Sequence, residues 1–292
     1  MTSIVSFTNL EKMHSDNLPK LEGFLPKQQR ELYPSPGMCI YCSSKDNLSD
    51  EHIIPFALGG NLIFQKASCP DCAKVTSDFE LTCLRTMYGP LRLLYDLPTR
   101  RPNKRPPKLP LKVKYSPDET EWQTTLVDQK KYPFLVTFPY FEAPGIVSRD
   151  PIQKSKGPVT KRLWIRGASP YYSFNELLDK LLLELKAYSV FPESKAEVPA
   201  FCRLLAKIAH AFAVAKIGLA NFTPALKPII IQNNLSHCMY YIGSANKDEA
   251  PENKLHKLNI LEFNNINAIF VIVRLLCKLG TPTYIVAVGT RK

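Results

Sequence analysis

Leucines at 177, 178, 181, 182 and 185 recur at helical spacing, and Phe201, Leu204, Leu205, Ile208 and Phe212 repeat the pattern after Pro199. Each run lays one apolar stripe along a helix, so helices are predicted over 171–188 and 199–217. Ser173 and Glu176 open the first with the spacing of a capping box. His210 lies beside the second stripe, where a packed or hydrogen-bonded histidine is the ordinary explanation.

Elsewhere short runs mix apolar with polar residues between Pro, Asp and Gly signals. They predict strands over 112–115, 122–127, 134–138 and 162–165, then over 229–231, 239–242, 258–263, 268–276 and 284–288. Toward the N-terminus, 51–55 reads as a short strand, Gly59-Gly60 as a sharp turn and 61–64 as the start of a second strand. Ser68 and Asp71 form a capping-box variant with Pro70 in the first turn, so a helix is expected from about 69 to 87, before Gly89-Pro90. Residues 1–36 are polar and mixed, a loosely ordered arm with one short helix over 18–32. The pattern is α+β, with a small N-terminal unit at 37–97 and a larger mixed domain at 111–292.

Composition sharpens this picture at two points. At 292 residues and 45% hydrophobic the chain buries a real core and has room for two domains. Its net charge of +12 favours a polyanionic partner, nucleic acid or an acidic membrane surface, over a basic protein with no such partner. The longest apolar stretch, 268–276, is broken by Arg274 and too short to span a bilayer. Residues 1–11 show no basic, then apolar, leader, so the expected compartment is the cytoplasm, with reduced thiols.

Between the two domains, Arg100, Arg101, Lys104, Arg105, Lys108, Lys112 and Lys114 fall in a stretch with no acid, punctuated by prolines. Prolines at 98, 102, 106, 107 and 110 keep it extended. Such a ribbon at 98–110 can follow a phosphate backbone or serve as a solvated linker, and the two roles are compatible.

The densest chemistry lies between Cys39-x-x-Cys42 and Cys69-x-x-Cys72. Four thiolates from two tight turns make a tetrahedral zinc site, closed to substrate and therefore structural. The alternative is a set of unligated buried thiols. Cys83, Cys202, Cys238 and Cys277 lack metal spacing and are expected as small core residues. Between the pairs stands Asp50-Glu51-His52-Ile53-Ile54-Pro55, an acidic pair against a histidine.

The paired cysteines, the acidic-His-Ile-Ile-Pro strand, the Gly-Gly turn and Asn61 together resemble the HNH endonucleases over residues 37–86. The resemblance implies a ββα-metal fold clamped by Zn2+ and hydrolysis of DNA phosphodiester bonds. It makes His52 the general base and Glu51 the carboxylate on a catalytic Mg2+ or Mn2+. Asn61 would orient the imidazole or brace the loop that carries it. Asp50, next to Glu51 on a strand, points to the opposite face. One departure stands out: the place just after the last cysteine, where the family carries a His or Asn ligand, is Ala73. Thr76, Ser77 or Glu80 on the same helix face substitutes, or water does, or the site is catalytically weak and the unit binds DNA through Arg100, Arg101, Lys104, Arg105 and Lys108 without cutting it. A basic protein-interaction module is a third possibility. For 111–292, substrate positioning, target recognition and homodimer formation remain open.

Overall fold

In the computed structural model, which describes residues 3–4, 29–148, 152–168, 173–245, 249–263 and 267–292, the chain is organised around the helix Val198–Ile217. Pro199 sits in its first turn, where backbone N–H groups lack intrahelical partners anyway. The expected apolar stripe is there, but burial extends well beyond it. Cys202, Ala206, Ala209, Ala211 and Ala213 are also wholly enclosed. A helix covered on nearly every side is a core element. It alone among the described helices is long and apolar enough to cross a membrane, and 78% of its most apolar window is buried within the protein.

One flank of this helix lies on an antiparallel sheet in the order Phe222–Pro224, Tyr284–Arg291, Ala268–Leu275, His256–Phe263, with Ile242–Ser244 also paired to Tyr284–Arg291. The charge that interrupts the apolar run at 268–276, Arg274, is fully buried. It is neutralised by Glu249 at 2.9 Å and Glu252 at 2.8 Å, and donates to the Thr281, Glu249 and Ala250 carbonyl oxygens. The other flank meets the helix Pro70–Thr82.

Two short runs differ from expectation. Residues 229–231 belong to a helix, Lys227–Ile231, opened by Pro228, and 239–242 to the helix Cys238–Tyr241 leading into strand Ile242–Ser244. A three- or four-residue apolar run carries no usable period, so its surroundings choose between helix and strand. The remaining strands form small sheets: Lys108–Lys114 between Gln123–Asp128 and Ser189–Phe191, and Phe134–Tyr140 with Arg162–Ala168. The helix Phe174–Leu185 begins with the complete Ser173–Glu176 capping box.

Residues 5–28, including most of the helix expected over 18–32, lie outside the described residues. The described end of that segment, Glu31–Tyr33, is a strand parallel to Leu62–Ser68. The proline-rich ribbon is not extended throughout. Pro102–Lys104 makes a 3-10 turn, and Lys108 already pairs with Asp128. Proline's fixed φ suits a 3-10 turn as well as an extended chain.

The N-terminal unit is a three-stranded sheet, Glu31–Tyr33, Leu62–Ser68, Ser49–His52, backed by the helix Pro70–Thr82. Its apolar residues, from Tyr33 and Ile40 to Phe79 and Met87, join the same buried cluster as the central helix and the C-terminal sheet.

Candidate active site and cysteine cluster

Cys39 and Cys42 sit on a tight turn closed by Ser43 N–H on the Cys39 carbonyl oxygen at 2.9 Å. The Ile40 N–H, donating to the Ala67 carbonyl at 2.9 Å, ties this turn to the strand that delivers Cys69. Cys69 caps the helix Pro70–Thr82, with Pro70 at its start as expected. The expected Ser68 cap is absent: Ser68 is buried at the end of its strand, and its hydroxyl turns to the Cys69 carbonyl. The four sulfur atoms lie within 4.8 Å of one another, with Cys42 and Cys69 Sγ 3.5 Å apart. Zinc holds thiolates at about 2.3 Å in a tetrahedron, a geometry this spacing can accept. Burial pushes the Cys69 and Cys72 thiols up, whereas the Ser44 backbone N–H pulls Cys42 down. A bound cation would supply the charge that holds all four as thiolates.

The loop between the strands turns on two glycines. Gly59 adopts φ 81°, and a Cβ on Gly60 would lie 2.1 Å from the Ile54 carbonyl oxygen. Only glycine fits either place without strain.

His52 ends the strand Ser49–His52, half-buried and stacked on Phe56 with ring centroids 5.7 Å apart. Its Nδ1 is buried without a hydrogen-bond partner. Burial, then the positive charges of Lys207, Arg100 and Arg30, lower its pKa to about 4, against a smaller opposing effect of Asp50. The imidazole is therefore neutral at pH 7, the form a general base needs. Asp50 is exposed, and its Oδ1 accepts from the Lys66 N–H at 3.0 Å across an irregularity in the strand pairing.

Glu51 departs from expectation. It faces inward, is 6% exposed, and pairs through Oε1 with Lys207 Nζ at 2.5 Å. Lys207 is fully buried on the central helix and also contacts Glu80 Oε1 at 2.9 Å. Its ammonium donates further to the His52 and Ile53 carbonyl oxygens. Of the substitutes considered for the ligand missing at Ala73, Thr76 and Ser77 turn their hydroxyls back onto the Ala73 carbonyl oxygen. Glu80 alone converges with Glu51, and it converges on Lys207. The residues present therefore do not fit a catalytic Mg2+ or Mn2+ at Glu51. Its carboxylate is occupied by a cationic side chain, and Ala73 offers no ligand. Strand alternation correctly separates Glu51 from Asp50, yet the face that His52 shares belongs to Asp50.

Asn61 does not reach His52. Its Nδ2 donates to the Gln29 carbonyl oxygen at 2.9 Å and its own carbonyl accepts from Glu31 N–H, so it braces the outer strand. It borders a recess of about 500 Å3 with Tyr33, Phe212, Lys216 and His256, which His52 does not line.

Arg100, Arg101, Lys104 and Lys108 are exposed and form no ion pair among the described residues. Arg105 is different: it pairs with Asp96 and donates through Nη2 to the Leu97 carbonyl at 2.6 Å. Arg85, Arg92, Arg101, Lys104 and Arg105 share the wall of a recess of about 330 Å3. Arg92 donates to the Ala57 and Leu84 carbonyl oxygens, tying this basic wall to the loop after His52.

Lys207 and Arg85 were not singled out from sequence. The one trace of Lys207 is a lysine within an apolar helix, spaced four from Arg203 and three from His210. All three reach the N-terminal unit. Arg203 lies over the Phe79 ring at 4.5 Å, and His210 Nε2 donates to the Ile40 carbonyl at 3.0 Å.

A strand pair and helix clamped by paired cysteines, with a histidine at the end of the first hairpin strand, define a ββα-metal unit. Residues 39–81 match the family model of the HNH endonucleases, and this unit is an HNH domain. Its membership supports a nuclease-type function and implies a nucleic-acid substrate. Neither a curated relative nor a solved structure matches the chain significantly.

Proposed function

We propose that the protein is a nuclease of the HNH type acting on DNA in the cytoplasm, with a structural Zn2+ on Cys39, Cys42, Cys69 and Cys72. The observation that carries this is His52: a neutral imidazole with an orphaned ring nitrogen, on the family-matched unit, under the field of Arg30 and Arg100. Its role is to take a proton from the attacking water. The two arginines neutralise the phosphate and the charge that develops on it. A phosphate brought against His52 raises its pKa from the low value of the free protein, which strengthens it as a base when substrate is bound. The exposed Arg100, Arg101, Lys104 and Lys108 hold the flanking backbone.

Incubating zinc-loaded protein with plasmid, with and without Mg2+ or Mn2+, tests this assignment. Nicking or linearisation is expected, and loss of at least a hundredfold in His52→Ala. Cleavage that survives His52→Ala removes His52 from the reaction. A second reading, DNA binding without cleavage, is favoured by one specific observation, the commitment of Glu51 to Lys207 beside Ala73. Salt-sensitive DNA binding with intact plasmid under every divalent ion would select it.

A further inference from the structure

We propose that Lys207 is the resident cation of the HNH centre. Its ammonium stands where hairpin and helix would otherwise grip a divalent metal, and so excludes one from Glu51 and Glu80.

The environment of Nζ is that of a bound cation. Carboxylate oxygens approach from the hairpin, Glu51 at 2.5 Å, and from the helix Pro70–Thr82, Glu80 at 2.9 Å. The Ile53 carbonyl lies at 3.3 Å, with the His52 carbonyl also accepting. All these oxygens belong to the HNH unit, whereas the cation comes from the central helix, 155 residues beyond His52 in sequence. The ammonium is held in place from both sides along that helix. Arg203 stacks on Phe79 one turn before it, and His210 binds the Ile40 carbonyl one turn after. Withdrawing Lys207 would mean shifting a helix that is buried almost throughout. Nor can a divalent ion join it, because hard metals require carboxylate oxygens at about 2 Å. Those oxygens already face a positive charge in a site shielded from water, where like charges repel most strongly.

Ala73 fits the same account. A centre that carries its own cation has no use for a further metal ligand at the helix start. A buried carboxylate, Glu51, and a partly buried one, Glu80, against one buried ammonium would be costly if either side were removed, so the arrangement behaves as a unit. Because the His52 and Ile53 carbonyls are among the acceptors, Lys207 also fixes the end of the strand from which the His52 ring projects. It is a positioning residue for His52, and it touches no substrate.

The test counts Mn2+ bound to full-length, zinc-loaded protein by electron paramagnetic resonance and follows thermal melting in parallel. None of it depends on cleavage, so failure of the nuclease assignment would leave it standing. Wild type and Glu51→Gln are expected to bind the same number of Mn2+ ions. Lys207→Ala, which opens the space between two carboxylates, is expected to bind one more and to melt higher in Mn2+, a shift absent from wild type. The uncharged combination Lys207→Met, Glu51→Gln, Glu80→Gln keeps the shape of the cluster, and is expected to fold and to bind as many ions as wild type. A Mn2+ ion bound by wild type and lost in Glu51→Gln overturns the proposal. So does a folded Lys207→Ala protein that gains no Mn2+ site. If Lys207→Ala folds under neither condition, wild type against Glu51→Gln decides alone.

Discussion

Two charged clusters sit in the same HNH unit and are built in opposite ways. The thiol cluster comes from two short Cys-x-x-Cys turns whose spacing is written in adjacent residues. The carboxylate cluster takes Glu51 from a strand, Glu80 from a helix and Lys207 from the far side of the chain. The first offers four sulfur atoms that could take an ion from outside; the second is filled by a cationic side chain. A metal knuckle can form from a short piece of chain once zinc arrives, whereas the lysine cluster exists only after the whole core has closed. The contrast shows that the HNH unit is finished by the C-terminal part rather than merely attached to it.

Removing zinc is expected to have the largest effect. Structural zinc sites contribute on the order of 10 kcal/mol to their folded state, so chelation or Cys72→Ser should release amide protection across residues 39–72. Hydrogen exchange checks this, and unchanged protection would mean that packing alone holds the cluster.

Next comes Lys207→Met, which strands the buried Glu51 carboxylate and the partly buried Glu80. Breaking a buried ion pair costs about 3–5 kcal/mol, read as a lower urea midpoint. Adding Glu51→Gln and Glu80→Gln to Lys207→Met should recover most of it. Additive losses would mean that the three side chains do not act as a unit.

The border between the two parts gives a pH signature. His256 is half-buried, with Nδ1 accepting from Leu276 N–H and Nε2 donating to the Leu58 carbonyl at 2.8 Å. Burial lowers its pKa from 6.5 to about 4. The unfolded chain then binds more protons than the folded one between these values, so stability rises with pH there. Above pH 6.5 the effect is fully present; it is lost as pH falls toward 4, about 3 kcal/mol in all. Urea unfolding from pH 7.5 to 4 measures the slope, and His256→Gln should flatten it.

The smallest expected effect lies outside both clusters. Arg101→Ala or Lys104→Ala should weaken DNA binding uniformly across sequences and reduce the salt slope by about 1 each. Arg105, already paired with Asp96, should matter less. A titration at several salt concentrations compares them.

Much of the fold was legible because its signals are local. The Ser173–Glu176 capping box, the Gly59-Gly60 turn and the two long helices follow from spacings of a few residues. Where runs were too short to show a period, as at 229–231 and 239–242, helix replaced strand. At the site, alternation along the strand 49–52 was enough to separate Asp50 from Glu51. It could not say which of the two faces would be covered, because that depends on what packs there.

By itself the sequence determined the zinc-spaced cysteines, the HNH resemblance and the α+β class. These rest on neighbours within a turn or a strand, where covalent geometry limits the outcomes. Only the tertiary structure decided that Glu51 faces inward, that Asn61 braces a strand instead of the imidazole, and that a lysine fills the space between hairpin and helix. Those depend on groups far apart in the chain, and their energies are settled when burial strips water from charges that must then find each other.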